Sequence, residues 1–203
     1  MSRLAASFVL GFHGCDAEVG RWALDGELDL VRSDKAHDWL GPGIYFWEAD
    51  PLRALEWARW KVERGDYREP FVVGAIIDLG NCLNLLEREN IGLLKLAHAN
   101  LVGRHEQAGL EMPRNRDPSG VGNRDKLLRF LDCAVIKMVH QAVEEQVGGP
   151  QLAPFDTVRG LFVEGEPAYP GATFYERTHT QIAVVEPSCI KGVFRPTPYP
   201  ELP

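Results

Sequence analysis

Phe71 to Leu79 reads FVVGAIIDL, a run of nearly unbroken apolar character. A strand of that composition has no face to give to water, so it predicts an interior position in a sheet covered on both sides. Gly80-Asn81 supplies its stop. The remaining elements must therefore provide layers over this sheet.

Ala6 to His13 (ASFVLGFH) is a second apolar run and predicts a first strand whose C-terminal end lies at a cleft. Gly43-Ile-Tyr-Phe-Trp47 is β-branched and aromatic, and predicts another. It leads into Asp50-Pro51 and then Leu52, Ala54, Leu55, Trp57, Ala58 and Val62, which reads as an N-cap aspartate, a proline at the first helical position and an amphipathic helix. Glu18 to Leu30 carries Val19, Trp22, Ala23, Leu24 and Leu28 at helix-like spacing. Ser33-Asp34 offers turn or cap chemistry ahead of Trp39.

From Leu83 to about Val147 the pattern is helical, with a polar break over Glu111 to Asn123. Lys126 to Gln146 predicts a helix packed on the core, ended by Gly148-Gly149-Pro150. Strands return at Thr157 to Val163, Gln181 to Val185 and Ile190 to Phe194, with a turn-rich stretch from Glu164 to Gly171. The plan is α+β: one domain over residues 1–203, with 83–150 as a mostly helical insertion.

At 203 residues, 45% hydrophobic and 25% charged, the chain can bury a full core without staples. A net charge of −7 argues against a general nucleic-acid coat. Arg104, Arg114, Arg116, Arg124, Lys126 and Arg129 read as a solvated helix and loop face. Cys15, Cys82, Cys133 and Cys189 show no zinc-ligand spacing and read as small hydrophobes of a reducing compartment. The apolar stretch after Met1-Ser2-Arg3 is too short for a membrane span and lacks an export cleavage site, so cytoplasm is expected, with signal-less secretion compatible.

Chemistry concentrates in two segments. His13-Gly14 ends a strand, where glycine lets a ligand approach the backbone and the imidazole donates to a hydroxyl. Gly41-Pro42-Gly43-Ile44-Tyr45-Phe46-Trp47 places a phenol on a strand entered through a turn, and the following helix returns Trp57 to the same end, so two aromatic faces could hold a flat ring. Without a following Lys-Ser or Lys-Thr, it is not a phosphate loop. Taken alone, each segment reads more simply as core: a histidine bonded to a carbonyl, and aromatics filling the space between a strand and a helix. Cys15, two residues from His13, also admits a thiol nucleophile, although no orienting Asp or Asn is evident.

Taken together, His13-Gly14, the Gly-x-Gly-Ile-Tyr45-Phe segment and the helix from Ala54 to Trp57 resemble the first two parts of the ADP-ribosyltransferase signature, in the branch shared by diphtheria toxin and the poly(ADP-ribose) polymerases. The resemblance covers about Phe8 to Ala58 and Thr157 to Phe194. It implies a split, twisted antiparallel β core with NAD in a cleft between its halves, and no metal. His13 would then hydrogen-bond the adenosine-side ribose and the Gly14 backbone would grip the nicotinamide carboxamide. Tyr45 would lie against the nicotinamide and its ribose. Trp57 would take the place of a ring-stacking tyrosine, one residue late, and Cys15 that of a serine or threonine that donates to the nicotinamide oxygen.

The third part of the signature is a glutamate opening a late strand, and the best match, Thr180-Gln181-Ile-Ala-Val-Val, puts glutamine there. Gln181 can orient a ribose but carries no charge. Glu176, or with less support Glu164 or Glu166, could supply a carboxylate from the preceding loop, which in the family presents the acceptor. His179 shares a strand face with Gln181 if the strand reaches it. The implied activity is mono-ADP-ribosyl transfer from NAD to a protein or nucleic acid, as a toxin or stress effector with an antitoxin or immunity protein as partner. NAD hydrolysis and silent NAD binding are the alternatives.

Overall fold

A computed structural model of the chain describes residues 8–117, 128–145 and 152–201. It is a mixed α+β structure built on one seven-stranded sheet. The strands are β1 (Phe8–Asp16), β2 (Ile44–Glu48), β3 (Pro70–Asp78), β4 (Cys82–Asn84), β5 (Thr157–Phe162), β6 (His179–Val184) and β7 (Ile190–Phe194). The helices are α1 (Ala17–Asp25), α2 (Pro51–Glu63), α3 (Arg88–Ala108) and α4 (Phe130–Glu144). Across the sheet the order is β4-β5-β6-β2-β1-β3-β7. Among the described residues no helix is long and apolar enough to cross a membrane.

The Phe71 run behaves as its composition demands: β3 lies between β1 and β7, and Val72, Val73, Ala75 and Ile77 are fully buried. Its pairing with β1 is continuous from Phe8↔Asp78 to Asp16↔Pro70. By contrast, β1 meets β2 at only two positions, Gly11↔Glu48 and Phe12↔Trp47. β2 instead pairs with β6 from Ile44↔Val184 to Trp47↔Gln181. The sheet is thus two ladders, β1-β3-β7 and β2-β6-β5-β4, joined along a short seam. Beyond Phe12 the seam opens at His13.

The pleat sorts side chains onto two faces. On one, α2 covers Phe12, Trp47 and Val72, while α3 and α4 cover Val158 and Ala183. On the other, Ile44, Phe46, Ala75, Ile77, Ile182 and Val184 pack with Ala23 of α1, Leu30 and Cys189. α2 starts as expected, with the Asp50 side chain accepting from the Arg53 amide and Pro51 in the first turn. α1 stops at Gly26, whose φ of 74° is left-handed, short of Leu30.

Two sequence expectations change. Leu83 does not begin a helix; it is the fully buried centre of β4, paired in parallel with Val158 of β5. Three residues are too few for alternation to register, and the partner lies in the last third of the chain. The core is therefore mixed rather than wholly antiparallel. The helix expected from Lys126 runs as α4 from Phe130, after an antiparallel bridge between Arg116 and Leu128. The Met1-Ser2-Arg3 start, residues 118–123 of the polar break, Arg124, Lys126 and Gly148-Gly149-Pro150 lie outside the described residues.

Gly14 lets α2 sit directly on β1, because a Cβ there would lie 2.2 Å from the Ala54 carbonyl oxygen. Backbone cannot yield as a side chain tip can, so Gly14→Ala is expected to lower unfolding free energy by about 2 to 3 kcal/mol. Gly192→Ala, where a Cβ meets nothing within 4 Å, should leave it within about 0.5 kcal/mol. Urea titration of both variants checks the pair.

Candidate functional site

Where β1 and β2 part, the His13 ring spans the gap, its Nδ1 lying 2.8 Å from the Tyr45 carbonyl oxygen. A carbonyl only accepts, so Nδ1 carries the proton. Burial pushes the His13 pKa down, against a smaller opposing effect of this bond. The neutral ring then presents Nε2 as a lone pair. That reverses the role expected from the sequence: His13 would accept a proton from a ligand hydroxyl rather than donate one.

Tyr45 is half-buried beside the helices, in the cluster containing Leu40, Val135 and Ile136. Its hydroxyl donates to the Gly41 carbonyl at 2.8 Å and accepts from the Leu40 amide at 3.1 Å. The polar end is thereby used to fix the turn at Gly41, whose φ is 76°, and burial raises its pKa. What Tyr45 has to offer a ligand is its ring.

Gln181 is half-buried on β6, directly across from Trp47 of β2 and Gly160 of β5. Its Oε1 accepts from the Trp39 indole N–H at 2.7 Å. An indole only donates, so this bond fixes which end of the amide is which. The Nε2 hydrogens of Gln181 are left as the outward donors. Sequence reasoning passed over Trp39, which reads there as one aromatic in a turn-rich connection.

Trp57 belongs with Trp47, at 6.0 Å between ring centroids, and with Trp60, at 4.9 Å. Tyr45 and Trp57 thus sit in separate apolar clusters. Cys15 is 3% exposed and packs on Ala17, Phe71 and Val73. Burial, with a smaller push from Asp16, raises its thiol to about 12. A thiol so hard to ionise is a poor nucleophile, which counts against the Cys15-His13 hydrolase reading.

The loop carboxylates do not gather at Gln181. Glu176 is exposed, and its backbone N–H donates to the Glu166 carbonyl. Glu166 is exposed as well. Glu164 turns inward, but its Oε2 is 2.7 Å from Arg53 of α2, and Arg177 approaches its other oxygen at 3.9 Å. Arg53 also pairs with Glu56.

A row of rings crosses the face between α4 and α2: Trp39, Phe162, His179, Trp47, Trp57 and Trp60, with neighbouring centroids 4.9 to 6.2 Å apart. Arg129 lies over Trp39 and Phe162 at one end, and Lys61 and Arg64 over Trp60 at the other. β6 does reach His179, which is buried on the same face as Gln181.

A surface depression of about 540 Å³ lies instead beside α1, lined by Asp16, Glu18, Asp25, Glu27, Glu69 and nearby Arg21, Trp22 and Arg68. It contains none of the candidate residues. Among the described residues, no group of three or more His, Cys, Asp or Glu is placed to hold a metal. No protein-family model, curated protein or solved structure matches the chain, so the chemistry rests on this geometry.

Burial lowers the pKa values of His13, His140 and His179 alike. Below the ordinary imidazole value of about 6.5 the unfolded chain therefore binds more protons than the folded one, and stability falls with pH. Each group adds a slope of at most about 1.4 kcal/mol per pH unit, ending at its folded pKa. Urea midpoints should drop between pH 7 and pH 5.5, with a shallower drop in His140→Gln.

Proposed function

We propose that the chain is an NAD-dependent mono-ADP-ribosyltransferase, of ADP-ribosyltransferase type in its fold, which cleaves the nicotinamide-ribose bond and passes ADP-ribose to a macromolecular acceptor. The observation that carries this reading is the seam. The resemblance requires a β core split into halves with a histidine and a tyrosine at the split; the β1/β2 ladder ends after Phe12↔Trp47, and His13 bridges to Tyr45 at that point.

In this reading each residue has a limited task. The Gly14 backbone holds the carboxamide, in a strand segment already pressed against α2. His13 Nε2 takes a ribose hydroxyl proton into a hydrogen bond, and the Tyr45 ring forms a wall. Gln181 Nε2 donates to the nicotinamide-side ribose and fixes its rotation. Nicotinamide leaves as a neutral base from a cationic precursor, so the work that remains is stabilising an oxocarbenium-like sugar and positioning the acceptor. A neutral donor at residue 181 supplies little of the first, so turnover is expected to be slow.

One observation favours a second reading, NAD binding without turnover. Glu164, the loop carboxylate that turns inward, is paired with Arg53 rather than with Gln181. NAD hydrolysis differs from transfer only in the nucleophile that enters.

Calorimetry with NAD, nicotinamide release and transfer of labelled ADP-ribose in a cell extract separate these. Transfer is expected in the wild type, and its loss with at least tenfold weaker NAD binding in His13→Ala. Gln181→Glu, which keeps an acceptor for Trp39 and adds charge, should raise nicotinamide release about tenfold or more. NAD binding with no release in either protein would establish the silent reading, and no NAD binding at all would remove both.

A further inference from the structure

Next to Gln181 three polar side-chain atoms are sealed from solvent with no hydrogen-bond partner: Trp47 Nε1, Arg53 Nε and His179 Nε2. Trp47 and His179 are each 5% exposed, and the Arg53 side chain 11%. Trp47 is the cross-strand neighbour of Gln181, and His179 lies two residues before it on the same face. The Trp47 and His179 rings are 6.2 Å apart, and Arg53 is close enough to act on His179 electrostatically.

An unmade hydrogen bond at a buried polar atom costs about 1 to 3 kcal/mol, so three together call for an occupant in the working state. Its chemistry follows from the donors and acceptors. Trp47 Nε1 and Arg53 Nε can only donate. His179 Nδ1, 2.6 Å from the Arg177 carbonyl oxygen, must carry the ring proton, which leaves Nε2 as an acceptor. A group that accepts twice and donates once is a hydroxyl. A phosphate or carboxylate would leave Nε2 unmatched and would face Glu164 and Asp50, whose charges also act on His179.

We infer that Trp47, Arg53 and His179 form the acceptor-hydroxyl subsite of the transfer reaction, with His179 Nε2 as the proton acceptor. This rests on the NAD reading above. As the reaction proceeds one of the two N–H donors lets go, and the oxygen lone pair so freed bonds to the anomeric carbon of the nicotinamide-side ribose while the carbon-nitrogen bond breaks and its electron pair leaves with neutral nicotinamide. The hydroxyl proton passes to Nε2 and from there to solvent. Burial lowers the His179 pKa, so the ring is free to accept a proton at neutral pH. Glu164 pairs with Arg53 at the edge of the subsite.

The test measures NAD binding by calorimetry and nicotinamide release against pH in wild type, His179→Gln and Trp47→Phe, with methanol as the probe alcohol. Expected are NAD affinities within about twofold of wild type in both variants. Release should fall about 100-fold in His179→Gln, with loss of the acid limb of the pH profile, and about tenfold in Trp47→Phe, which keeps its ring. Methyl ADP-riboside among the products assigns the subsite to alcohols, and free ADP-ribose alone assigns it to water. Wild-type rates and profile in either folded variant overturn the proposal, as does NAD binding by wild type without release. Absence of NAD binding by wild type overturns the cleft reading itself, and the subsite with it.

Discussion

The hydrogen bond from His13 to the Tyr45 carbonyl is where this structure is decided. Strands in a sheet ordinarily answer each other amide for carbonyl, and a ladder that ends early leaves backbone groups unanswered. Here a side chain from β1 takes up the carbonyl that β1's own backbone no longer reaches. One imidazole thereby ties the two halves of the sheet together just past their last paired residues, Phe12 and Trp47. The same bond fixes the ring's tautomer, so the architecture and the chemistry of His13 have a single cause.

α2 lies against β1 just past that point. Because Gly14 has no side chain, the helix approaches β1 at backbone distance, and it carries Arg53 and Trp57 toward the β2/β6 half. The long-range pair between Arg53 and Glu164 then draws the connection before β6 onto the same face. Trp39 reaches Gln181 from the opposite side, from the segment that Tyr45 fastens through Gly41. Gln181 is thus approached by neighbours from both halves of the sheet's covering layer.

Much of this was legible in the residues. The strand at Phe71, the capped helix at Asp50-Pro51 and the late strands follow from local patterns, and His13 and Tyr45 stood out through their glycines. The parallel strand around Leu83 was not legible, because three residues carry no period and the partner is remote. Nor was the aim of Gln181: that depends on an indole 142 positions away, a contact that only the folded chain brings about. Trp47 reads in the sequence as a strand aromatic and Arg53 carries no signal there, and their meaning comes from what they fail to bond. Whether a carboxylate completes the third position is likewise a tertiary matter, since Glu164 points inward and is already taken while Glu176 faces out.

The row of rings has an optical consequence. Four of the chain's five tryptophans, Trp39, Trp47, Trp57 and Trp60, belong to it, and only Trp22 on α1 stands apart. Most of the protein's tryptophan emission therefore originates along one line across the face of the sheet that carries Gln181, within energy-transfer distance from ring to ring. The molecule carries its own reporter there, and a change in that emission speaks of this face before any other.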